Sequence, residues 1–483
     1  MEITIFDFII FVLFIVGTIL FGVSFFSKNR NANDYTAAGG KLPAWVVGMS
    51  IFATYVSSIS FLALPGNAYM GNWNPFVFSL SIPIASFIAA KYFVPFYRNM
   101  DSISAYSFLE ERFGYWARVY AAVCYLLTQI ARIGSVLFLM ALPLHTMLGW
   151  SVPTIIIVSG LCVVIYSVIG GITAVIWNDA IQGIILIVGA VTCAAVLLFS
   201  MPEGPGQLFE IASVHNKFSL GSFGPELSVP TFWVTLVYGI FINLQNYGID
   251  QNYVQRYKTA KDDKSARSAA LFGGLLYLPV SMFFFFIGTA LFAYYTANPG
   301  LLPEGIANDA VFPYFIVHGL PTGVTGLLIA AICAAGMSTI STSINSSATI
   351  ILTDFFQHKK KLTDKQNMKI LYGTSFVLGI LGIGIGLAMM SVQSALEAWW
   401  SLAGIFSGGM LGLFLLGYLA KKVKSIHAAI GVICGVILIS WMSLGNNTIF
   451  HNYLTIVFGT VLIFLVGFLM SLVIRKRGVE EDK

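Results

Sequence analysis

Residues 46–67 read VVGMSIFATYVSSISFLALPGN. Both flanks are apolar enough to lie in lipid, but Thr54, Tyr55, Ser57, Ser58 and Ser60 crowd the middle, and Pro65-Gly66 follows. In hydrocarbon, an unsatisfied backbone group costs several kcal/mol. A helix interrupted here survives only where protein, water or a ligand replaces the lost hydrogen bonds. The stretch therefore reads as a discontinuous membrane helix whose unwound segment, near Ala53–Ser57, frees carbonyl oxygens suited to a hard cation. Its hydroxyls and its half-helix N-terminus suit an anionic group. The competing reading is a set of hydroxyls bonding back to their own helix. It accounts for one or two such residues better than for this cluster.

The rest of the chain agrees with a membrane setting. Hydrophobic residues make up 57% of the 483 and charged residues only 10%, against roughly 25% charged in soluble domains. Apolar windows long enough to cross a bilayer recur at 7–27, 43–66, 75–97, 117–148, 152–175, 178–200, 231–254, 268–295, 321–352, 367–391, 395–418, 425–442 and 453–474. This predicts an all-α integral membrane protein of about thirteen transmembrane helices. The ~10-residue alternation of a membrane β-barrel is missing from the pattern. The first span opens Met-Glu, without a basic leader or a small-residue cleavage site, and reads as a permanent helix.

Lysine and arginine set the orientation. With the N-terminus outside, the inner loops gather Lys28, Arg30 and Lys41, then Arg98, Arg112 and Arg118, then Arg256, Lys258, Lys261, Lys264 and Arg267, and later clusters near 360, 422 and 476. The outer loops keep only Lys217. That asymmetry predicts a multi-pass protein of the cell membrane with a cytoplasmic C-terminus. The net charge of +5 then reflects topology and an anionic inner leaflet. Lipids are the expected surroundings, and nucleic acid is not an expected partner. The five cysteines and six histidines are scattered, which supports neither a disulfide framework nor a zinc site. No enzyme activity and no organic cofactor are expected.

Polarity inside the spans is uneven. The seventh span carries FINLQNYGIDQN at 241–252, a second interruption five helices after the first. Secondary transporters are often inverted repeats, each beginning with a broken helix near the bilayer midplane. The expected organisation is an extra N-terminal helix and inner loop (1–42), a first five-helix repeat (43–200) and an outer loop (201–230). A second five-helix repeat (231–418) and two further helices with a cytoplasmic tail (419–483) complete it. Residues 330–350, AAICAAGMSTISTSINSSATI, place Ser338, Ser341, Thr342 and Asn345 at i, i+3, i+4 and i+7, one polar stripe. Neutral oxygens without an acid fit a dehydrated Na⁺ better than a proton relay.

Two charges stand out. Asp179, in GGITAVIWNDAIQG, is either the N-cap of the sixth span or a carboxylate available to a cation on that stripe. Arg132, in YLLTQIARIGSVLFL, lies mid-span, where arginine costs at least ~2.5 kcal/mol. Its planar fork suits a carboxylate in two-point contact, and Glu397 is the alternative partner.

The stretches ATYVSSISFLALPGNAY, GGITAVIWNDAIQG and AAGMSTISTSINSSATI resemble the sodium:solute symporter family over nearly the whole chain. The resemblance implies the leucine-transporter-type fold. It also implies a first Na⁺ held by the carbonyls of Ala53 and Val56 with Ala335, Ser338 and Thr339. A second Na⁺, present in some members, matches Asp179, Ser338, Ser341 and Thr342. Within the family the chain is most similar to bacterial sialic-acid symporters. That likeness implies a substrate carboxylate on Arg132 with hydroxyls from Ser57, Ser58 and Ser60, and Asn243 lining the pocket. Tyr55 stands where a threonine is usual, Ser79 where a glutamine is usual and Gly239 where a phenylalanine is found. The carboxylate half thus looks kept and the opposite half altered. The expected function is Na⁺-coupled import of a small organic anion, sialic acid (N-acetylneuraminate) above all, with one or two coupling ions. Another sugar, an amino acid or a vitamin carboxylate is the alternative substrate. A channel or a transporter-like receptor is the alternative class.

Overall fold

The computed structural model describes residues 3–26, 31–306, 310–358, 360–391, 408–445 and 449–480. Among them the chain is helical, and the one β-bridge pairs Leu42 with Ala260. Nine helices are long and apolar enough to cross a membrane, and the pair Ala44–Tyr55 and Ser60–Met70 forms a further, broken span bent by 52°. Near-continuous apolar sequence makes the long spans, and polar caps delimit several of them. Thr231 accepts from Val234 N and so starts Phe232–Ile249, and Thr363 and Gln366 form a reciprocal capping box at Asp364–Ala388.

The helices are not equivalent. In Val324–Phe356, 89% of the most apolar window is buried inside the protein, whereas in Ile5–Val23 the share is 22%. The former, carrying the polar stripe, is the central element, and its helical part Val324–Ile350 is packed against Val152–Phe199, Tyr115–Leu148 and Ile5–Val23. It can be this polar because its neighbours, and not lipid, meet its hydroxyls. Its N-terminus is held from the first helix. Asp7 Oδ1 accepts from Gly323 N at 2.7 Å and from Gly326 N at 2.8 Å, a carboxylate placed on the positive end of a helix.

Two expectations change. Residues Val152–Phe199 form one helical run of 48 residues, roughly 72 Å at 1.5 Å per residue and more than twice a bilayer core. The run is broken at Gly171 (φ 58°, ψ −163°), not between 175 and 178 as the hydropathy suggests. A side chain at Gly171 would also meet the Tyr35 ring at 2.8 Å, so the break requires glycine. Asp179 therefore lies inside a continuous helix and caps nothing. Second, the stretch from Arg256 to Arg267, assigned above to an inner loop, begins inside a buried helix, Gln251–Thr259. Of the expected span 395–418, residues 395–407 and Glu397 lie outside the described residues; Gly408–Leu419 is helical.

Candidate ion and substrate site at two broken helices

The first interruption spans two residues. Helix Ala44–Tyr55 ends, Val56 (φ −87°, ψ 113°) and Ser57 (φ −108°, ψ 169°) are extended, and helix Ser58–Met70 begins with the Ser57 hydroxyl accepting from Ser60 N. Extended backbone removes the amides that would have capped the preceding turn. Two carbonyls freed in this way meet functional groups. Ala53 O accepts from Ser338 Oγ at 3.4 Å, and Thr54 O accepts from Arg132 Nη2 at 3.2 Å. One break thus touches the polar stripe on one side and the mid-span arginine on the other.

Of the oxygens expected for the first ion, Ser338 Oγ reaches Ala53 O. Ser338 Oγ and Thr339 Oγ1 each lie 3.1 Å from Ala335 O. Rotating the two hydroxyl protons outward would turn lone pairs toward a cation. Val56, the remaining expected ligand, is the fully buried residue at the break itself.

On the other side, half-buried Arg132 reaches the break at Thr54 O, and the Ser57 and Ser60 hydroxyls, 3.4 Å apart, lie at the N-terminus of Ser58–Met70. The Ser58 side chain lies outside the described residues. Ser79 and Asn243 are held by partners of their own: Ser79 Oγ is 2.7 Å from Ser281 Oγ, and Asn243 Nδ2 donates to Ser81 Oγ at 2.9 Å. That second contact needs Gly239, where a Cβ would come within 2.5 Å of Ser81 Oγ. The Tyr55 ring packs among Tyr247, Tyr253 and Tyr277, with centroids 5.0–5.6 Å away.

The second interruption also holds. Helix Phe232–Ile249 stops at extended Asp250 (φ −75°, ψ 123°), and Gln251–Thr259 follows. From that second half, Arg256 reaches the acid expected at the second ion. Arg256 Nη2 donates to Asp179 Oδ2 at 2.8 Å and to Thr342 Oγ1 at 2.7 Å, both residues fully or almost fully buried. Ser50 Oγ donates to the same Asp179 oxygen at 2.6 Å. Ser341 Oγ donates to Ser338 O at 3.1 Å. Arg256 and Ser50 are the site residues that the sequence reading missed. A signal existed for the first: Gln251, Asn252, Gln255 and Arg256 share one helical face, and all four are fully buried.

Two interrupted helices, a buried hydroxyl stripe facing one of them and a mid-span arginine facing the same break are the features of a membrane carrier built on discontinuous helices. The model of the sodium:solute symporter family matches residues 35–435. The chain belongs to that family. It is 34% identical over 455 residues to the sodium/sialic acid symporter NanT of Aliivibrio fischeri, covering 93% of this chain and 90% of that one. It is 33% identical over 446 residues to SiaT of Proteus mirabilis, with coverages of 91% and 90%. A solved Na⁺-coupled sialic acid symporter, substrate-bound and outward-open, superposes with a TM-score of 0.92 at 29% identity, covering 97% of this chain and 98% of that chain. Mhp1, a nucleobase-cation-symport-1 family transporter in a closed conformation, shares the fold at a TM-score of 0.58 and 16% identity, with coverages of 92% and 95%.

Proposed function

We propose that this protein imports sialic acid, or an acidic sugar close to it, by Na⁺-coupled alternating access. The observation that carries the reading is the double engagement of one backbone break, by Ser338 at Ala53 O and by Arg132 at Thr54 O. The first sodium is assigned to Ala53 O, Val56 O, Ala335 O, Ser338 Oγ and Thr339 Oγ1. The substrate carboxylate is assigned to Arg132 with the hydroxyls of Ser57, Ser58 and Ser60. Tyr55, Ser79 and Asn243 border the rest of the pocket. Asp179, Ser338, Ser341 and Thr342 are the set for a second ion.

The geometry supports one order of events. Sodium arriving from outside ties the broken helix to the stripe and fixes the unwound segment. That fixes the Thr54–Ser57 backbone against which Arg132 is aimed, so the carboxylate site is built by the ion. Linkage then requires substrate to tighten sodium binding by the same factor. With an inside-negative potential near 100 mV, each sodium moved inward contributes ~2.3 kcal/mol.

The architecture we assign is thirteen crossings with a five-plus-five inverted repeat, the N-terminus outside and the C-terminus in the cytoplasm. Dividing Val152–Phe199 at Gly171, counting each interrupted pair once and taking Gly408–Leu419 as the end of its span supports this count. The lysine and arginine asymmetry supports the orientation.

The test is uptake of labelled N-acetylneuraminic acid into proteoliposomes with and without an inward Na⁺ gradient. Uptake should require the gradient, and Arg132→Ala should abolish it. Uptake by the variant at the parent rate would remove Arg132 from the site. Competition by a small monocarboxylate but not by sialic acid would move the assignment to the smaller anion.

A further inference from the structure

Arg256 is a charge to which the symport reading gives no task. Its side chain is fully buried, and its guanidinium is held at all three nitrogens. Nε donates to Ser50 Oγ at 2.7 Å, Nη1 to Asn252 O at 2.6 Å, and Nη2 to Asp179 Oδ2 and Thr342 Oγ1 at 2.8 and 2.7 Å. Four elements converge there: the first half of the first broken helix, the second half of the second, the segment after Gly171, and the central helix. Two of these partners, Asp179 and Thr342, belong to the set assigned to the second sodium. The other carboxylate oxygen, Asp179 Oδ1, is buried and has no hydrogen-bond partner among the described residues. A desolvated carboxylate oxygen without a donor is costly and attracts a cation.

We propose that the Arg256 guanidinium and a sodium ion are alternate partners of Asp179 and Thr342, so that the arginine is a tethered cation exchanging with the second sodium during transport. The inference rests on the sodium reading above. Two cations sharing one carboxylate repel each other, so an ion entering at the open Oδ1 weakens the hold of Nη2 on Thr342. When the ion leaves, the guanidinium returns and Asp179 is never a bare buried charge. That return matters most while the unloaded carrier resets. Because Arg256 and Thr342 sit on different elements, the exchange also converts ion occupancy into a making and breaking of the tie between the second broken helix and the central helix.

The test uses three variants of the full-length protein. Arg256→Gln removes the charge. Ser50→Ala removes the acceptor of Nε and the hydroxyl that donates to Asp179 Oδ2, but no assigned sodium ligand. Arg256→Lys keeps a cation in place. The first readout is Na⁺ titration of thermal stability without substrate, with choline as the replacement ion. The second compares net sialic acid uptake with exchange of internal for external sialic acid at equal Na⁺ on both sides.

Arg256→Gln should lower the half-saturating Na⁺ concentration roughly tenfold or more, and Ser50→Ala should lower it by a smaller factor. Net uptake by Arg256→Gln should fall far more than exchange, because exchange bypasses the unloaded return, and Arg256→Lys should restore net uptake in part. Unmoved Na⁺ titrations, or equal loss of net uptake and exchange, would overturn the proposal and leave Arg256 a structural tie. If Arg256→Gln does not fold, the Ser50→Ala titration and the uptake-to-exchange ratio of Arg256→Lys decide the matter. A parent protein without any Na⁺ dependence would sink the sodium reading itself. A Na⁺-dependent parent with unmoved variants sinks only this inference.

Discussion

Replacing Ser338 with alanine separates an ion ligand from a packing hydroxyl. The side chain is almost fully buried, and its oxygen sits 3.1 Å from Ala335 O and 3.4 Å from Ala53 O. As a structural bond the longer contact is weak, and a neutral buried hydrogen bond contributes only about 0.5–1.5 kcal/mol net. As a ligand to a desolvated cation the same oxygen contributes about 1.5–3 kcal/mol, the range for bonds to charged groups. At ~1.36 kcal/mol per tenfold, the ligand role predicts a rise in half-saturating Na⁺ of roughly one to two orders of magnitude. The hydroxyl is small and Ala335 O keeps its bond from Thr339, so the melting temperature measured without Na⁺ should move by only a few degrees. The assay is a Na⁺ titration of sialic acid binding to purified protein, paired with thermal unfolding in choline. A lowered melting temperature with unchanged Na⁺ half-saturation would refute the ligand role and make the stripe a packing seam.

Other expectations follow from single contacts. Asp7→Ala removes the carboxylate from Gly323 N and Gly326 N and should cost about 1–2 kcal/mol, as for lost helix caps near a positive dipole end; thermal unfolding of the purified variant checks this. Gly171→Ala puts a side chain at positive φ against Tyr35. It should lower the yield of folded, monodisperse protein in detergent, whereas Gly17→Ala, with nothing within 4 Å of the added carbon, should not.

What the sequence made legible was local chemistry. The interruption at 53–57 announces itself because hydroxyls and Pro-Gly stand where apolar residues belong, and the stripe at 338–345 because its spacing matches a helix period. Both are properties of one short window. The Arg256 contacts are not: they join residues 77 and 86 positions away, so a charge count along the chain assigns the arginine to the inner surface. Asp179 was misplaced at a helix start for a related reason. Hydropathy dips near 176–178, but the backbone breaks at Gly171, where Tyr35 approaches from a distant segment. Ser79 and Asn243 were named from resemblance, and their partners Ser281 and Ser81 lie 202 and 162 positions away.

The first helix illustrates how an element away from the two breaks can still support the stripe. By itself Ile5–Val23 is an apolar span, mostly turned toward lipid. Yet Asp7 holds the start of the central helix, and the Asn178 side chain donates to Thr18 O at 3.4 Å, next to Asp179. The helix that bears the hydroxyl stripe is thus gripped at one end by a carboxylate from the first helix. A broken helix can change its angle only against something that does not move with it. Fixing the stripe from the first helix gives the unwound segment at Val56–Ser57 a stationary surface, and under the proposed sodium site the contact from Ser338 Oγ to Ala53 O would then respond to the ion. Asp7→Ala should therefore do more than lower stability: it should also weaken Na⁺ binding, although Asp7 touches none of the sodium oxygens. Loss of stability with an unchanged Na⁺ titration would show that the central helix needs no such anchor.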